Sequence, residues 1–181
     1  MPIGQEPPRR LKQLLFYAAR KFSFEVTRLR LPNQSIGDWA CIRHPGGSMA
    51  VPVTADGQFV LVHQYRFAMA GRLLEFPAGT VEEAEDPLGT IQREIQEETG
   101  YKADTWKILG QFPNAPGYSD EIIYAYLATD LEKLTDPPKL DEDEDIEVVL
   151  MSADELEKAI LEGAAIDAKS IAAFYMAKAY L

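Results

Sequence analysis

At 181 residues the chain is long enough for one well-buried core, or for one core with a small appended lobe, and too short for two large independent domains. It is 46% hydrophobic and 26% charged, an ordinary balance for a folded protein that argues against disorder. Eighteen Lys and Arg against 29 Asp and Glu give a formal charge of -11, which repels polyanions and disfavours nucleic acid, though a local Arg and bound cations could hold a small phosphorylated ligand.

The first 21 residues read as polar or weakly helical, with no apolar run of signal-peptide length and no small-residue cleavage pattern. No later stretch approaches 18 consecutive apolar residues, so no membrane span is expected. The single cysteine, Cys41, rules out an internal disulfide framework or a thiolate cluster within one chain, and the expectation is a cytoplasmic protein. Alternation at Phe22, Phe24 and Val26, then at Leu29 and Leu31, predicts strands of a small lobe, and Pro45-Gly46-Gly47 punctuates its end. Met49 to Val53 and Phe59 to Val62 are apolar runs separated by Asp56-Gly57, a hairpin signal.

Arg72 to Phe76 predicts another strand, followed by a Pro77-Ala78-Gly79 turn. Asp86 can cap a helix with Pro87 at its first position, and Gly100 is placed to stop it. Leu88, Ile91 and Ile95 form the stripe that buries this helix, leaving its carboxylates facing outward, toward whatever the turn exposes. Strands are predicted over Thr105 to Phe112, Glu121 to Ala128 and Ile146 to Met151, with a Pro-rich bend and an acidic run, Asp141 to Asp145, before the last. Amphipathic helices follow over Asp154 to Glu162 and Ser170 to Ala179, with Ile171, Phe174 and Tyr175 at helical spacing. Mixed strands with at least three helices predict an α+β fold or an α/β/α sandwich.

The chemistry concentrates between Gly79 and Tyr101. Glu94, Glu97 and Glu98 stand at i, i+3 and i+4, so one helix face can present three carboxylates to one place. A divalent cation held there can neutralise anionic oxygens and supply hydroxide-like water near neutral pH. Magnesium takes carboxylate oxygens while keeping waters, which suits an open glutamate fan.

Gly79, Glu85, Arg93, Glu94, Ile95, Glu97, Glu98 and Gly100, with Tyr101 in a final apolar slot, resemble the signature box of the Nudix hydrolases at every fixed position. The resemblance implies a Nudix α/β/α sandwich with a mixed sheet and a small N-terminal β-lobe. Residues 1–46 would be an N-terminal helix and β-lobe for dimerisation and base binding, and residues 47–181 the catalytic domain. Glu94 and Glu98 are the expected primary ligands of Mg2+, with Glu97 sharing or replacing one of them and Mn2+ able to substitute, and the resemblance implies the backbone carbonyl of Ala78 as a further ligand. Gly79, Glu85, Arg93 and Gly100 take structural places in the motif, with Arg93 expected to orient Glu85 or another carboxylate of the box.

Leu74-Glu75-Phe76-Pro77-Ala78-Gly79 and Ala115-Pro116-Gly117-Tyr118-Ser119-Asp120-Glu121 resemble the ADP-ribose pyrophosphatase and nucleoside-diphosphate-sugar hydrolase branch of that family. Pro116, fifteen residues after Tyr101, matches a proline marker of the branch. Pro116, Gly117 and Ser119 are therefore candidates for substrate contact, and Arg66 matches a phosphate-contacting arginine. Glu144 corresponds to a loop glutamate proposed as general base, with Glu142 and Glu121 as alternatives and Glu98 counted among the catalytic carboxylates as well as the ligands. Trp39, with Phe24 as a neighbour in the lobe, is the candidate platform for a nucleobase. The implied reaction splits ADP-ribose into AMP and ribose 5-phosphate, with GDP-mannose or ADP-glucose as rival substrates and a catalytically silent nucleotide-sugar sensor as the reading of another class. The implied partners are a small nucleotide sugar and a second copy in a homodimer with exchanged lobes, with no nucleic acid and no membrane.

Overall fold

The alternating run around Phe24 and Val26 forms the middle strand of a three-stranded antiparallel sheet in this computed structural model, which describes residues 6–139 and 145–181. The strands are β1 (Arg9–Ala18), β2 (Ser23–Arg30) and β3 (Ile36–Arg43), in the order β1-β2-β3. β1 corrects the expectation of a weakly helical N-terminal segment. The run Leu11 to Tyr17 has no helix cap, and ladder pairing with β2 overrides its local propensity. Register shifts at Arg10/Lys12 and Gln13/Leu15 interrupt the ladder, and every β1 residue is exposed, Leu14 to Tyr17 included.

The chain divides into two compact units, one formed by residues up to Pro45 with Pro113–Ile122, the other by Gly46–Phe112 with Ile123–Leu181. In the first unit the 113–122 segment is tied to β3. Ser119 bridges Ile42 in parallel, Ile42 N–H donates to the Tyr118 carbonyl at 2.8 Å, and Arg43 pairs with Asp120 at 2.9 Å. Arg43 also pairs with Glu25, a carboxylate only 4% exposed that takes Arg10 as a second partner. Burial pushes Glu25 up, but the two guanidinium groups outweigh it and hold the carboxyl below its usual range.

The second unit contains two sheets. One has the order β7-β4-β9-β8, built from β4 (Gly47–Pro52), β7 (Ala78–Thr80), β8 (Tyr101–Pro113) and β9 (Ile122–Lys133). The other has the order β10-β5-β6, built from β5 (Phe59–Arg66), β6 (Gly71–Glu75) and β10 (Ile146–Met151). β4 runs parallel to β9 and antiparallel to β7, so the sheet is mixed. The strand β4 itself is buried on both faces, which explains its near-continuous apolar run. Met49 and Val51 face the main core with Phe59, Leu61, Phe76 and Phe174, while Ala50 between them packs with Ile91 and Ile95. The helices are α1 (Pro87–Thr99), α2 (Ala153–Leu161) and α3 (Ala168–Ala177), and the fold is α+β as expected.

The hairpin expected around Asp56-Gly57 forms only as a turn. Thr54 and Gln58 close it, Gly57 takes a φ of 81°, and a lone bridge joins Val53 to Phe59 before the two strands part into different sheets. The reason is that β4 already spends both edges on β7 and β9, and β5 spends both of its edges on β10 and β6. In α3 the buried stripe is Ser170, Ala173, Phe174 and Ala177, and Tyr175 is exposed where the sequence suggested burial. Among the described residues no helix is long and apolar enough to cross a membrane.

Candidate active site

Helix α1 is set by signals at both ends. The Asp86 side chain accepts from Gly89 N–H at 2.8 Å, Pro87 holds the first position, and Gly100 closes the helix at φ 70°. Ser48 of the buried β4 donates its hydroxyl to the Pro87 carbonyl at 2.6 Å, which pins the helix start to the sheet. Ile91 and Ile95, both fully buried, fix the helix rotation, and that rotation decides where the carboxylates point.

The carboxylates do not all face outward. Glu98 is 3% exposed and accepts from the Ala78 N–H at 3.0 Å, so the last turn of α1 and the short strand β7 are joined through it. A Cβ on Gly79 would overlap the Glu94 carboxylate, which makes glycine the residue that lets this side chain lie against the backbone. Arg93 Nη1 donates to Glu94 at 3.0 Å and to Glu97 at 2.9 Å, and its remaining nitrogens reach Glu85 at 3.3 and 3.4 Å. Glu85 also accepts from the Thr90 hydroxyl at 2.8 Å. Hydrogen bonds from Arg93 and Thr90 hold the Glu85 carboxyl below its usual range, and the surrounding carboxylates more than offset the burial of Arg93 and keep it charged.

The chemistry of this donor set fits a hard divalent cation. It offers three carboxylates within five residues beside a backbone turn, with oxygen donors only. Among the described residues no three His, Cys, Asp or Glu side chains are already gathered as a cation site, in keeping with Arg93 holding both Glu94 and Glu97.

A second charged cluster lies at the end of β5. Arg66 donates from Nε to Glu75 Oε1 at 2.6 Å and from Nη2 to Glu75 Oε2 at 2.8 Å. Glu75 is 2% exposed and takes a further bond from Lys169 Nζ at 2.5 Å, and Lys169 also pairs with Asp167, which caps α3. Burial pushes Glu75 up, yet the Arg66 hydrogen bonds and the charges of Lys169 and Arg66 win and hold it down to about 2. The bonds to Glu75 raise the Arg66 guanidinium above its ordinary value, against the effect of its burial. Among the described residues Arg66 Nη1 makes no hydrogen bond. From sequence, Glu75 is only a member of the Leu74 to Gly79 motif with no role assigned, and Lys169 does not stand out. The available signals were a glutamate inside the apolar Leu74 to Phe76 strand, and Asp167-Ala168-Lys169 at a helix start.

In the first unit Trp39 is 36% exposed and its ring lies across Gly37, where a Cβ would meet it at 2.9 Å. Trp39 is in register with Thr27, and Phe24 with Ile42. Directly opposed residues share a face, which puts Trp39 and Phe24 on opposite faces, so they make no common stacking platform within the chain. Pro116 and Gly117 are exposed at the tip of the 113–122 loop, whereas Ser119 is buried and accepts from Glu121 N–H at 3.2 Å. Glu121 accepts from Asn114 at 2.8 Å and lies 3.6 Å from His44 Nδ1. Glu142 and Glu144 lie outside the described residues.

A NUDIX domain model matches residues 43–174. The chain is 34% identical over 163 residues to a methanol dehydrogenase activator of Bacillus methanolicus, covering 90% of this chain and 88% of that one. It is 32% identical to an ADP-ribose pyrophosphatase of Bacillus subtilis (strain 168), covering 85% and 83%. The crystal structure of an ADP compounds hydrolase matches with a TM-score of 0.82 over 99% of this chain and 96% of that one, at 21% identity, a likeness of fold. The chain belongs to the Nudix family and is a Nudix hydrolase. The family and the fold are those the glutamate box led us to expect.

Proposed function

We propose that the protein is a divalent-metal-dependent pyrophosphohydrolase of nucleoside diphosphate sugars, with ADP-ribose, split to AMP and ribose 5-phosphate, as its leading substrate. The observation that carries this reading is the carboxylate face of α1 lying against β7, with the buried Glu98 accepting from the Ala78 N–H and Glu94 packed on Gly79. The ADP-ribose pyrophosphatase relative, aligned over most of both chains, supports the choice of substrate.

Glu94, Glu97 and Glu98, with the Ala78 carbonyl, would hold Mg2+ or Mn2+. A bound cation supplies charge neutralisation at the diphosphate and a lowered proton affinity for water. Arg66 binds a diphosphate oxygen through Nη1 while Glu75 grips its other two nitrogens. Arg93 keeps Glu94, Glu97 and Glu85 at fixed mutual positions, limiting the motion of three like charges. Glu144 is our candidate to accept the proton of the attacking water, ahead of Glu142 and Glu121. Trp39 offers an aromatic face to the base, with Pro116, Gly117 and Ser119 as further candidate contacts. The exposed apolar side chains of β1, Leu11, Leu14, Leu15, Phe16 and Tyr17, support a homodimer through the lobe.

The test is nucleoside monophosphate release from ADP-ribose, ADP-glucose and GDP-mannose, with and without Mg2+. We expect AMP from ADP-ribose at the highest kcat/KM and only with the cation. A preference for GDP-mannose would move the substrate within the class. Tight binding without turnover of any of the three would make the protein a sensor and contradict the proposal.

A further inference from the structure

Lys169 is the charged group whose position the reaction above leaves unused. Its side chain is 10% exposed, which is rare for a lysine, and its ammonium bonds to Glu75 Oε2 at 2.5 Å and pairs with Asp167. Arg66 already grips both oxygens of Glu75, so Lys169 is a second cation on the same buried carboxylate. With Lys169 in place the cluster holds two cations and two carboxylates. Asp167 is engaged at the α3 start by Ser170 N–H at 3.0 Å, and α3 is itself fixed to the residue that follows β6 by Ser170 Oγ, which accepts from Phe76 N–H at 2.9 Å. The Glu75 carboxylate is thus clamped from the helix side, and its orientation sets that of Arg66.

We propose that Lys169 is a positioning residue for substrate binding: by clamping Glu75 it holds the Arg66 guanidinium edge-on, with Nη1 directed to the diphosphate. Without Lys169, Glu75 Oε2 keeps only the Arg66 Nη2 bond, the buried negative charge it carries is shared with Arg66 alone, and the guanidinium is drawn further into neutralising it. The inference rests on Arg66 being the diphosphate contact, and its test separates the two ideas.

In the full-length chain, Lys169→Met, Lys169→Gln, Arg66→Gln and the Arg66→Gln/Lys169→Met double variant are compared with wild type for Mg2+-dependent ADP-ribose hydrolysis. The Arg66 Nε–H resonance is followed by 15N correlation spectroscopy without substrate. Loss of one charge-assisted contact is expected to raise KM about tenfold in both Lys169 variants, with kcat within about threefold. The double variant should be no worse than Arg66→Gln, because both changes remove one function. The Arg66 resonance should broaden or shift in both Lys169 variants. A purely structural lysine would lower the melting temperature while leaving KM within twofold of wild type and the penalties additive, and that result overturns the proposal. Wild type without turnover would overturn the substrate reading instead, and an unchanged Arg66 resonance in Lys169→Gln would then independently overturn the positioning.

Discussion

At the scale of single residues, Glu75 links stability to the site. Its carboxyl sits at about 2 in the folded chain against an ordinary value of 4.5. A depressed pKa contributes stability that is complete above the unfolded value and is lost as pH falls through the folded one. The contribution is of order 3 kcal/mol at neutral pH and should fade between about pH 5 and about pH 2. Urea denaturation of wild type and Glu75→Gln across that range checks it: the gap between the two should narrow as the pH falls, and parallel curves would show that Glu75 is not held by its cations. This group was hard to read from sequence because its partners are scattered. Arg66 is nine residues away and Lys169 ninety-four, and only folding brings them together. The carboxylates of α1, by contrast, were legible because helical periodicity alone relates them. What periodicity did not reveal is that Glu98 is buried against the Ala78 N–H, since that depends on where β7 lies.

At the scale of elements, α1 shows what local signals can specify. Asp86, Pro87 and Gly100 fix its ends, and Ile91 and Ile95 fix its buried face. Because the cap sets the start of the helix that carries the glutamates, Asp86→Ala should destabilise the protein by about 1 kcal/mol. A shift of that size in the urea midpoint at constant slope is the expected reading, and no shift would mean that Ser48 and the Pro87 carbonyl hold the helix start without the cap. Elements defined by partners rather than by caps were less legible. The Asp56-Gly57 turn is present, but strand choice is decided by β9 and β10, which lie far along the chain, so the hairpin splits between two sheets. β1 likewise owes its extended form to β2 rather than to its own residues.

At the scale of the whole molecule, two units carry separate parts of the proposed work. Residues 46–112 with 123–181 hold the box, Arg66 and the Lys169 clamp, while the β-lobe with its 113–122 loop carries Trp39 and the exposed apolar strand β1. The account depends most on α1 holding a divalent cation with its own carboxylates, against the competing grip of Arg93 on Glu94 and Glu97. Mn2+ titration followed by electron paramagnetic resonance tests this directly in the intact chain. We predict a saturable site in wild type whose affinity falls at least about tenfold in Glu98→Gln, since removing one anionic ligand weakens a hard-cation site without removing its geometry. Equal Mn2+ affinity in the two proteins would contradict the assignment of these carboxylates to the metal.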